Sequence, residues 1–124
     1  MPYFAWFGIL GLVLLYAALT TVLLAKYKDM PHVRRHHLLG RAAAIVLTVH
    51  AIWANLNHRG HALPLFGWVG LLAIAGIFFG YYAALLVKKT RDKKWSDMHW
   101  KVQVASTVIA TLHAGWFSYR ILGR

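Results

Sequence analysis

The 124 residues are 60% hydrophobic and only 14% charged, against about 25% charged in a soluble domain, so a soluble core is excluded and residues 1–124 are expected to form one membrane-embedded domain. The net charge of +11 does not imply nucleic acid, because the cations lie between apolar runs, where topology and anionic headgroups account for them. Cysteine is absent and the only acids, Asp29, Asp92 and Asp97, lie outside those runs, which excludes disulfides, iron–sulfur clusters and the intramembrane carboxylate common in proton-coupled transporters.

A helix needs about 20 apolar residues to cross the hydrocarbon, and four runs qualify, over residues 3–25, 36–56, 63–87 and 98–122. The first lacks the basic start and small-residue cleavage site of a signal peptide, so it is expected to be a retained helix. The connections, residues 26–35, 57–62 and 88–97, are too short to fold by themselves. The expected fold is an all-α integral membrane four-helix bundle.

The first and third connections with their adjoining helix ends carry Lys26, Lys28, Arg34, Arg35, Arg41, Lys88, Lys89, Arg91, Lys93, Lys94 and Lys101. The other side carries only Arg59, Arg120 and Arg124. Basic loops stay in the cytoplasm, so both termini are expected outside, and helices two and four run in the same direction. A prokaryotic cytoplasmic membrane is the expected location.

The second and fourth runs repeat each other. Thr48, His50, Ala51 and Trp53 match Thr111, His113, Ala114 and Trp116 at a separation of 63 residues, and His36 matches His99 at the same separation. Lys26 and Ala42 likewise match Lys89 and Ala105. Histidine and tryptophan seldom recur together by chance, so the pattern indicates tandem duplication of a helical hairpin.

His36 and His50 lie 14 residues apart, as do His99 and His113. At 100° and 1.5 Å per residue each pair falls about 40° from one line along its helix, about 21 Å apart. Helices two and four, set face to face, would pair His36 with His99 and His50 with His113. Each pair could supply both axial nitrogens of one b-type haem, giving two haems stacked along the membrane normal. His37 is the alternative to His36; it lies about 140° from His50, and its counterpart is Trp100. Zinc or copper fits less well, because one level offers two histidines and no carboxylate or thiol.

Arg120 and Asn57 lie seven positions beyond His113 and His50, placed to hydrogen-bond propionates of an outer haem, while Arg41, Arg34 or Lys101 could serve an inner one. All of them also suit the role of snorkelling interfacial residues. Gly8, Gly11, Gly67, Gly70, Gly76 and Gly80 in helices one and three suit close approach of a macrocycle, and suit helix packing better. Trp53 and Trp116 suit either a haem wall or an aromatic belt. His58, Arg59 and His61 form a polar outer cluster that could exchange protons with a quinol, or a solvated turn.

The segment His37-Leu38-Leu39-Gly40-Arg41, followed by Leu47-Thr48-Val49-His50-Ala51, resembles the first haem helix of the ferric-reductase-like transmembrane domain. The run from His99 to His113 is similar to the second haem helix of such membrane di-haem cytochromes b, which include respiratory cytochrome b subunits. The resemblance implies bis-histidine ligation of two haems and one-electron transfer across the membrane. The expected role is a respiratory-chain electron carrier between a quinone pool and an exterior redox subunit, in a hetero-complex or homo-oligomer. The alternatives are a small stand-alone oxidoreductase acting on quinone, oxygen species or ferric iron, and a haem-free four-helix transporter or channel.

Overall fold

A computed structural model describes residues 3–24, 30–57 and 65–123. They form four helices: α1 (Tyr3–Leu24), α2 (Met30–Asn57), α3 (Leu65–Thr90) and α4 (Lys93–Leu122). There is no strand among the described residues, and the fold class is the expected all-α one. α1 packs on α2 and α3 packs on α4, dividing the chain into two compact units, Met1–Gly60 and His61–Arg124. Each unit is an antiparallel helical hairpin.

Tyr3–Leu24, Val33–Asn57 and Gly67–Thr90 are long and apolar enough to cross a membrane. α4, at 30 residues, is about 45 Å long and exceeds the hydrocarbon thickness. It is not among those apolar spans, because Lys101, Gln103, Ser106, Thr107 and Thr111 break its apolar run.

α2 starts six residues before the apolar run expected from the sequence and α4 starts five before. Apolar runs mark what lipid covers, whereas backbone geometry and capping decide where a helix ends. At the α3–α4 turn that geometry is explicit. Arg91 adopts the left-handed region at φ 54° and donates its N–H to Val87 O at 2.8 Å. Asp92 then caps α4, its carboxylate accepting from Lys94 N at 2.9 Å. The connection therefore shrinks to Arg91 and Asp92.

The hairpin seams are lined by small residues, which bring the helix backbones close. Ala5, Ala18 and Ala43 are buried in the first hairpin, and Ala73 and Ala83 in the second. Leu47 lies against Gly11 so closely that a Cβ there would fall 2.5 Å from its Cδ2. A Cβ at Gly80 would fall 2.5 Å from Gln103 Nε2.

Candidate functional site

Helical phase turns the paired histidines of each hairpin inward, onto the backbone of the neighbouring helix. In the first hairpin His36 Nδ1 lies 3.0 Å from Ala18 O, and His50 Nδ1 lies 2.7 Å from Phe4 O. In the second, His99 Nδ1 lies 2.7 Å from Gly80 O. A carbonyl oxygen only accepts, so in each case Nδ1 is the donor, and a neutral ring then carries its lone pair on Nε2. All three rings are partly buried.

The second histidine of each pair, His50 or His113, rests on a glycine of its own hairpin. A Cβ on Gly8 would lie 2.9 Å from His50 Cε1, and one on Gly70 would lie 3.0 Å from His113 Cε1. Both contacts are tighter than a real Cβ normally tolerates, so glycine at these two sites lets an imidazole rest on the helix backbone. Phe4 adds a tilted ring contact to His50 at 6.2 Å.

These contacts reveal a second repeat. Phe4, Trp6 and Gly8 match Phe66, Trp68 and Gly70 at a separation of 62 residues, and Ala18 corresponds to Gly80 at the same separation. Thus α1 repeats in α3 at 62, whereas α2 repeats in α4 at 63. The carbonyl acceptors and the glycine floors were missed by reading for histidines alone. Identity of phenylalanine, tryptophan and glycine at the 62 offset was the available signal.

The threonine two residues before each inner histidine is used identically. Thr48 Oγ1 donates to Ala44 O and Thr111 Oγ1 to Thr107 O, each at 2.7 Å. Such back-bonding satisfies a hydroxyl within a helix.

The remaining candidates occupy different ground. His37 is exposed on α2, its ring centroid 5.8 Å from that of His36, and its counterpart Trp100 is also exposed. Arg34, Arg41 and Lys101 are exposed. Arg41 lies five residues after His36, about 140° round the helix, so it does not share the histidine face. Arg120 stacks over Trp116, 5.4 Å from its ring centroid. Asn57 Nδ2 donates to Trp53 O at 2.9 Å, and Trp53 packs against Phe7 at 5.6 Å. Of the other seam glycines, Gly76 faces Ser106 and Gly80 faces Gln103; these are packing contacts. His58, Arg59 and His61 lie outside the described residues.

Among the described residues no group of three or more histidine or acidic side chains is placed to hold a metal ion. A bare tetrahedral ion takes three or four protein ligands, whereas an axial haem site takes one or two. The donor set, imidazoles oriented through Nδ1, suits the second kind. No family model, curated protein or solved structure matches the chain.

Proposed function

We propose that this chain is a membrane cytochrome b that carries electrons across a bilayer on two b-type haems. The observation that supports it most is the Nδ1 anchoring of His36, His50 and His99 by backbone carbonyls. Histidines that bind metal through one ring nitrogen characteristically donate the other N–H to such a group, which fixes tautomer and ring direction. The resemblance of α2 and α4 to haem helices of the ferric-reductase-like transmembrane domain points the same way.

Two histidines on one helix are about 21 Å apart and cannot share an iron. A second axial ligand for either haem would therefore come from another helix, and the equivalent histidine of the other hairpin is the proposed one. His36 with His99 would hold the inner haem, and His50 with His113 the outer. When bound, each haem supplies a reversible one-electron couple. The chain itself fixes the imidazoles, excludes water with its apolar spans, and neutralises propionates through Arg120 and further polar groups near the interfaces.

α4 is proposed as the fourth span, its polar residues shielded by α3: Gln103 Nε2 donates to Ile77 O at 3.1 Å, and Ser106 and Thr107 are buried. The excess of basic residues in and beside the connections 26–35 and 88–97 supports a cytoplasmic location for that side. The proposed partners are a quinone and an exterior redox subunit.

The deciding experiment is a visible spectrum of the purified protein, oxidised and reduced, with haem quantified per chain. Two low-spin b haems per chain are expected. A colourless protein overturns the reading and favours a rival, in which the histidines are interhelical struts of a haem-free transporter or channel, as their carbonyl bonds would also allow.

A further inference from the structure

α2 has a second organised face, on the side opposite its histidines. Arg34, His37 and Arg41 follow one another at intervals of three and four residues and are all exposed, so they form one axial stripe. Further along the same face come Ile45, Val49 and Ile52, 65%, 39% and 57% exposed. By helical phase these six lie within about 120° of one another, and the histidines His36 and His50 are centred about 180° away. The face is therefore cationic toward the turn and apolar toward the middle of the span.

Arg41 sits eight residues into the span Val33–Asn57, about 12 Å along it. Neither Arg34 nor Arg41 makes a hydrogen bond or ion pair with the described residues. The chain has only three acidic residues against fourteen lysines and arginines, so internal counter-charge is scarce. At the corresponding positions of the second hairpin stand Asp97, Trp100 and Val104; α4 carries its own exposed pair, Lys94 and Lys101, but with the carboxylate of Asp97 between them in sequence.

We propose that this face binds one anionic phospholipid, its phosphate held by Arg34, His37 and Arg41 and an acyl chain lying along Ile45, Val49 and Ile52. The order of charges and apolar residues along the helix matches the order of headgroup and tail in a leaflet. A free inorganic anion would use the cations but not the apolar strip. The site is independent of haem, and its test does not require haem to be present.

The test is native mass spectrometry of the full chain in detergent, offered phosphatidylglycerol or phosphatidylcholine with the same acyl chains. One phosphatidylglycerol is expected to be retained in preference. The Arg34→Gln/Arg41→Gln pair should weaken its retention about thirtyfold, roughly fivefold per arginine. Lys93→Gln/Lys94→Gln, which removes the same charge from α4, should change it less than about threefold. If the arginine pair fails to fold by circular dichroism, Arg41→Gln alone carries the comparison. Equal losses in both pairs overturn the proposal, as does release of the lipid by millimolar inorganic phosphate. Unchanged lipid retention in Arg41→Gln also overturns it.

Discussion

In the first hairpin His36 follows the carbonyl that anchors it by 18 positions; in the second, His99 follows its own by 19. The extra residue falls in the stretch between anchors, which in the second hairpin contains the turn at Arg91 and Asp92. It leaves no trace at the anchors themselves, where both rings still meet the neighbouring backbone. The histidine contacts are alike in both hairpins despite the one-residue difference between the anchors. Seam packing, by contrast, drifted. Where the first hairpin sets Gly11 against Leu47, the second has Ala73 and Ala110 at the corresponding positions. Where the second sets Gly80 against Gln103, the first has Ala18 and Gly40. Bulk moved from one helix to another while the imidazoles stayed.

The strongest way to break the equivalence of the hairpins is to remove one histidine from each. His113→Ala and His50→Ala should each abolish the outer haem and spare the inner, halving haem per chain in a pyridine haemochromogen assay. His36→Ala should remove the inner haem, and His37→Ala should spare both. A haem lost from His37→Ala but not from His36→Ala would reassign the inner ligand.

The glycine floors offer a milder test. Gly8→Ala and Gly70→Ala each gain helix propensity, about 1 kcal/mol, but press a methyl into an imidazole, an overpacking cost of about 1–3 kcal/mol. A small net destabilisation is expected in both, with lower haem occupancy at the outer level and none lost at the inner. An effect from one glycine and not the other would show that the two floors are not equivalent.

The smallest effects should separate the hairpins rather than equate them. Gln103→Leu removes the interhelical bond to Ile77 O and should cost about 0.5–2 kcal/mol. Gly40→Ala, at the matching site where an added Cβ would meet nothing within 4 Å, should stabilise by about 0.5–1 kcal/mol. Thermal unfolding in detergent, followed by circular dichroism, checks both.

The number of helices was legible in the sequence because apolar runs are long, and the equivalence of His36 with His99 because histidine is scarce in lipid-facing segments. Helix ends were not legible from hydropathy, since charged residues such as Lys93 and Arg34 propagate a helix as readily as apolar ones. Aspartate is a favoured N-cap residue, so Asp92 was the local signal for the start of α4. The placement of Arg41 away from the histidine face follows from 100° per residue alone. What no periodicity could provide was the acceptor for each ring, because a backbone carbonyl is the same group at every position. The repeat in α1 and α3 escaped because its offset differs by one residue from that of the histidines.

One detail of the inner level separates its two imidazoles. Ala18 O accepts from the Thr21 hydroxyl at 2.6 Å as well as from His36 at 3.0 Å. At Gly80, which His99 meets at 2.7 Å, the residue corresponding to Thr21 is Ala83, with no hydroxyl to offer. A carbonyl that already receives one proton donor pulls less on the next, so His36 holds its own N–H electrons more evenly and pushes less density to Nε2. Under the proposed function His99 would be the stronger σ-donor of the two. Two rings equated by sequence are distinguished by one hydroxyl, present on the helix that His36 leans against and absent from the one that His99 meets.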